Sequence, residues 1–135
     1  MSLVSLLLVL DEDFAGITAQ RLNEVYANLS ATSVITHDAA VDSLRRGAFN
    51  AVFYDIGMDK DNHYSRCAEL KENNPDIRLI AMSIGTKFYI HRELEKTPIF
   101  QDTIDFKSVQ DAAFGQGDWT FKEVLRKQGI ILENK

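Results

Sequence analysis

Apolar residues occur along this chain in two alternating styles: short unbroken runs, and longer stretches in which they return every three or four residues. Leu3 to Leu10 is almost wholly apolar and stops at Asp11-Glu12-Asp13, the pattern of a strand buried on both faces with acids at its carboxyl end. From Ala15 to Leu29, Ile17, Leu22, Val25, Tyr26 and Leu29 fall at helical spacing and predict an amphipathic helix. Ala31 to Thr36 is short and β-branched, a second strand. Asp38 to Arg46 carries Ala39, Ala40, Val41 and Leu44, and Gly47 ends that helix. Ala51 to Tyr54 is another buried run, and it too ends on an acid, Asp55. Tyr64 to Asn73 reads as a third helix closed by Asn74-Pro75, and Ile77 to Met82 as a fourth strand ending on Ser83.

Beyond Ser83 the pattern predicts a helix over Phe88 to Lys96 ended by Thr97-Pro98, a fifth strand within Ile99 to Phe106, and a last helix over Trp119 to Gln128 capped by Gly129. Ser108 to Asp118 holds two glycines and little periodicity, and reads as a loop. Strands alternating with helices specify a mainly parallel sheet, because parallel strands need crossover connections. The expectation is an α/β fold with a five-stranded parallel sheet and helices on both faces. In such sheets ligands bind at the carboxyl ends of the strands, where Asp11, Glu12, Asp55 and Ser83 fall.

Composition narrows the picture. At 135 residues and 45% hydrophobic the chain is the size of one domain, and no repeat, low-complexity tract or linker divides it. The formal net charge of −5 gives no electrostatic footprint for nucleic acid, which is bound by clustered Lys and Arg. A single cysteine, Cys67, excludes an intrachain disulfide and suits a reducing compartment; in a helix it is expected to be a small buried filler. Leu6 to Leu10 is far shorter than the ~20 residues of a membrane-spanning helix and lacks the flanks of a signal peptide, so a cytoplasmic location with no membrane contact is expected. His37, His63 and His91 show no ligand spacing and are expected at the surface.

Four segments, taken together in order and spacing, resemble the receiver domains of response regulators (CheY-like): Leu7 to Asp13, Asp38 to Asp55 with its Gly-Ala-Phe-Asn turn, Ala51 to Met58, and Asn74 to Ser83. The resemblance covers roughly residues 5 to 107. It implies a flavodoxin-like, receiver-type fold in which Asp55 accepts a phosphoryl group. It further implies Mg²⁺ held by Asp11, Glu12, Asp55 and the backbone carbonyl of Gly57, with Ser83 hydrogen-bonding the phosphoryl oxygens and Lys107 serving as the lysine that ends the fifth strand. Clustered carboxylates suit a hard, oxygen-loving cation. The chain departs from the family at Glu12, where aspartate is usual; at Asp59, in place of a proline; at Ser108, where proline usually follows the lysine; and at Ile104, in the place of an aromatic switch residue.

The implied function is that of a non-enzymatic phosphoacceptor in two-component signalling. Its partners would be a sensor histidine kinase or phosphotransfer protein. A downstream protein or second copy would meet the face built from the Phe88 to Lys96 helix, the fifth strand and the last helix, with Phe114, Trp119 and Phe121 as its aromatic contacts. The stretch after Lys107 is too short for a winged-helix output domain, so a stand-alone regulator or a fragment of a larger one is expected. Two alternatives stand beside this reading. One is a pseudo-receiver, an interaction module that kept the fold without regulated phosphorylation. The other is a haloacid dehalogenase-type phosphohydrolase, whose opening Asp-x-Asp motif Asp11-Glu12-Asp13 resembles, with Asp11 as nucleophile, Asp13 as general acid and Ser83 as the second motif.

Overall fold

The computed structural model describes residues 2–57, 63–84 and 99–135; for His63 and Tyr64 it describes the backbone alone. Within these residues the chain runs β1 (Val4–Val9), α1 (Ala15–Val25), β2 (Leu29–Val34), α2 (His37–Arg46), β3 (Ala51–Asp55), α3 (His63–Asn73), β4 (Arg78–Ser83), β5 (Asp102–Asp105), α4 (Phe106–Ala113) and α5 (Trp119–Lys127). The five strands form one sheet in the order β2-β1-β3-β4-β5, and every pairing is parallel. The helix expected over Phe88 to Lys96 lies outside the described residues. Among the described residues no helix is long and apolar enough to cross a membrane.

The unbroken apolar runs are explained by two-sided burial. Because successive strand residues point to opposite faces, Leu6, Leu8, Phe53, Ile80, Met82 and Ile104 enter one core with α1, α4 and α5. Their neighbours Leu7, Val9, Val52, Tyr54, Leu79 and Ala81 enter a second core with residues of α2 and α3, including Ala40, Leu70 and the fully buried Cys67. Helix α1 turns Ala15, Thr18, Ala19 and Leu22 inward, the i, i+3, i+4, i+7 stripe of a core-facing helix. Helix α2 is capped by Thr36, whose Oγ1 accepts a 3.1 Å hydrogen bond from the Ala39 N–H. Asp38 in its first turn and Arg45 and Arg46 in its last complement the macrodipole.

Three sequence expectations are corrected. Helix α1 stops at Val25 rather than Leu29, because Leu29 joins the ladder opposite Val4 and the Tyr26 backbone turns extended; both side chains are buried, so spacing alone read them as helix. The stretch from Ser108 is not a loop but most of α4, whose Phe106, Val109, Ala112 and Ala113 are buried; only Phe114 to Asp118 connects it to α5. Finally, Phe114, Trp119 and Phe121 do not share one surface. Phe121 is fully buried, 5.9 Å from the rings of both Tyr26 and Phe53. Trp119 is 76% exposed, and Phe114 lies under the Arg21 guanidinium at 5.6 Å.

The end of the chain is tied back to the body of the domain. Gly129, at φ 78°, terminates α5: its N–H donates to Arg126 O and the next N–H, of Ile130, reaches back to Leu125 O, both at 2.9 Å. This is the reciprocal pair that a left-handed residue after a helix allows. The segment that follows is held by the buried Asn28, whose Nδ2 donates to Ser2 O and Ile131 O at 2.9 Å and whose Oδ1 accepts the Glu133 N–H at 2.8 Å. Tyr26 lies opposite Asn134 in an antiparallel bridge, and its Oη donates to Asp118 Oδ2 at 2.8 Å.

Candidate functional site

The sheet order places β1 and β3 side by side although β2 intervenes in the chain, which opens a crevice at their carboxyl ends. Asp55 closes β3 at 6% exposure. A carboxylate so deeply placed needs hydrogen-bond donors to offset its desolvation, and the Gly57 N–H supplies one at 2.8 Å to Oδ1. The turn that brings it there is itself anchored, since the Ile56 N–H donates to Met82 O on β4 at 3.0 Å. Gly57 is a place where a side chain would intrude: an added Cβ would stand 3.3 Å from Asp55 Oδ1.

Asp11, Glu12 and Ser83 come to the same edge. Val9 pairs with Tyr54, so the acidic turn begins two residues beyond that row and Asp55 one. Asp11 is exposed and Glu12 half-buried, on a turn whose Glu12 carbonyl accepts the Ala15 N–H at 3.1 Å and so leads directly into α1. Ser83 ends β4 at 5% exposure, one residue past Met82, the partner of Asp55 in the ladder.

Lys107 is not brought to this edge. The expectation that it closes the fifth strand is corrected, because β5 ends at Asp105 and the chain enters α4 at Phe106. Phe106 and Val109 bury the inner side of that helix, which turns Lys107 outward. Its side chain is 78% exposed and pairs with Asp111 Oδ2 one turn on, at 3.1 Å. The strand end abreast of Ser83 is therefore an acid, Asp105, whose Oδ1 accepts a hydrogen bond from Ser108 Oγ.

A hard divalent cation suits the donor types present, carboxylates and a main-chain carbonyl. The Gly57 N–H on the Asp55 carboxylate fixes that carboxylate at the edge of the sheet, where a cation could reach it. Among the described residues no three acidic, His or Cys side chains already converge on a metal-sized point. Asp11 and Glu12 would have to turn inward to complete a ligand set, a rotamer change open to side chains on an accessible turn.

One polar cluster was missed at the level of sequence. His37, expected at the surface, is 7% exposed and shares a 2.9 Å hydrogen bond through Nδ1 with Tyr54 Oη. Among the described residues its Nε2 has no hydrogen-bond partner, and it stands 4.0 Å from Glu69 Oε1. Burial lowers the histidine pKa, outweighing the opposing pull of Glu69. The signal was available: His37 opens the helical stripe continued by Ala40, Val41 and Leu44. Of His63 the side chain, and of His91 the whole residue, lie outside the described residues.

The all-parallel sheet in the order β2-β1-β3-β4-β5 defines a fold class, the flavodoxin-like fold of the receiver type. No family model and no curated protein matches the sequence; the likeness is one of structure. The chain is similar to a response regulator receiver domain (CheY-like) from Methylobacillus flagellatus, with TM-score 0.70 and 18% identity over 94% of this chain and 99% of that one. It is similar to a two-component response regulator from Clostridium difficile, with TM-score 0.67 and 13% identity over 92% and 97%. A third neighbour is the response regulator TrrA from Thermotoga maritima, solved in complex with Mg²⁺-BeF, with TM-score 0.64 and 15% identity over 93% and 96%.

Proposed function

We propose that this chain is a receiver-type signalling domain that accepts a phosphoryl group on Asp55. The observation that carries the reading is Asp55 itself: a buried carboxylate at the end of a central strand, oriented by the Gly57 N–H at 2.8 Å. It has a buried hydroxyl, Ser83, on the next strand and an acidic turn on the other side. Attack by an Asp55 carboxylate oxygen on the phosphorus of a phosphohistidine forms the O–P bond as the P–N bond breaks, its electron pair leaving with the imidazole. The Ser83 hydroxyl would donate to an oxygen of the transferred group. Asp11, Glu12, Asp55 and the Gly57 carbonyl would hold Mg²⁺, which would neutralise charge as the phosphoryl group arrives. The natural donor is a sensor histidine kinase or phosphotransfer protein, the setting a cytoplasmic two-component pathway, and the domain acts as acceptor rather than as an enzyme.

A second reading, a phosphorylation-independent interaction module, is favoured by one feature: Lys107 is committed to Asp111, and an acid ends β5 instead. Incubation with acetyl phosphate and Mg²⁺ followed by intact-mass measurement separates the two. One phosphoryl adduct that disappears in Asp55→Asn supports the acceptor. No adduct in the wild type supports the interaction module, an adduct that survives in the variant moves the site elsewhere, and turnover of a generic aryl phosphate would favour the phosphohydrolase.

A further inference from the structure

We infer that Asp105 restrains phosphorylation of Asp55 by charge, an inference that rests on the acceptor reading above. Asp105 closes β5 abreast of Ser83, at the same edge of the sheet from which the Asp55 carboxylate is reached. The Ser108 hydroxyl, one turn into α4, donates to its Oδ1, so the carboxylate is tethered rather than free to swing into solvent. Among the described residues no cation pairs with it: the basic group nearest in sequence, Lys107, lies on the outer side of α4 with Asp111. Asp105 is also only partly accessible, so water screens it incompletely.

A phosphoryl group on Asp55 would add about two negative charges at this edge. Adjacent strands are about 4.8 Å apart, and β5 lies two strands from β3, which puts the two backbones on the order of 10 Å apart; Asp105 is one residue out of the Asp55 row, so the two anions stand at about that distance or somewhat more. That is close to one Debye length at ordinary ionic strength. Repulsion across this distance near a protein surface corresponds to about a three- to tenfold effect on the rate of approach and transfer from an anionic donor. With Mg²⁺ saturating in every variant, differences in cation affinity drop out, and Asp105 opposes whatever negative charge of donor and product the cation leaves uncompensated.

The test compares initial rates of acetyl phosphate labelling, at saturating Mg²⁺, for the wild type, Asp105→Asn and Asp105→Glu. The asparagine removes the charge and keeps an oxygen for the Ser108 hydroxyl; the glutamate keeps the charge. Asp105→Asn should label about three- to tenfold faster, Asp105→Glu should label like the wild type, and the advantage of the asparagine should shrink as salt is raised toward 1 M, where the Debye length falls to about 3 Å. Equal rates for all three would overturn the restraint and leave Asp55 as acceptor. A faster rate that ignores salt, or that Asp105→Glu shares, would overturn the electrostatic cause. If none of the three is labelled, the acceptor reading falls, and the restraint with it.

Discussion

Replacing Tyr26 by phenylalanine deletes a single oxygen, yet that oxygen joins α1 to the start of α5 across most of the chain. Tyr26 is fully buried and its Oη donates to Asp118 Oδ2 at 2.8 Å. The same carboxylate oxygen lies 3.4 Å from Lys122 Nζ, and the ammonium in turn stands 5.7 Å from the Tyr26 ring. A hydrogen bond to a charged acceptor contributes about 1.5–3 kcal/mol net. Asp118 is about one-third exposed, so water can partly replace the lost donor, which places Tyr26→Phe at the lower end, about 1.5 kcal/mol. For a domain of this size the melting temperature should fall by about 5 °C.

The pH dependence supplies a second, independent check. Burial pushes the Asp118 carboxyl up, but the Tyr26 hydrogen bond and the Lys122 charge outweigh it and hold the group below its ordinary value. A carboxyl lowered in the folded state stabilises the fold above the ordinary carboxylate range, and that stabilisation is lost as pH falls toward the lowered value, because the unfolded chain takes up the proton first. The gap between wild type and Tyr26→Phe should therefore be widest near neutral pH and narrow in acid. Thermal denaturation followed by circular dichroism at a series of pH values measures both quantities. A melting temperature within 1 °C of wild type, or a gap that stays constant into acid, would refute the argument.

Two further outcomes are expected. The His37 pKa is lowered from 6.5 by burial, so below that pH the unfolded state binds the proton first and stability falls; the melting temperature of the wild type should drop more steeply from pH 7 to pH 5 than that of His37→Gln, and parallel curves would show that the ring is not held neutral. Millimolar-order Mg²⁺ should raise the melting temperature by mass action in the wild type and much less in Asp55→Asn, and an equal rise in both would remove Asp55 from the ligand set.

Local pattern determined most of the architecture. Runs such as Leu6 to Leu10 and Ala51 to Tyr54 could only be strands buried on two faces, and the helices between them dictated parallel pairing. Asp55 and Ser83 were legible as edge groups because a polar residue that ends a buried strand has nowhere else to go. What the chain could not disclose locally was which periodic residue belonged to which neighbour. Tyr26 and Leu29 continue the α1 stripe in sequence, and only pairing of Leu29 with Val4 makes one of them strand. His37 is a polar residue in the apolar stripe of α2, and the Tyr54 hydroxyl that meets it comes from β3. Lys107 and Asp105 are the sharpest case. One residue separates them, both are charged, and which one stands at the edge was decided by Phe106 and Val109, whose burial started α4 directly after Asp105 and carried the lysine to the outer side of the helix. Burial of those two side chains against a distant part of the chain is a tertiary contact, and short-range spacing carries no record of it.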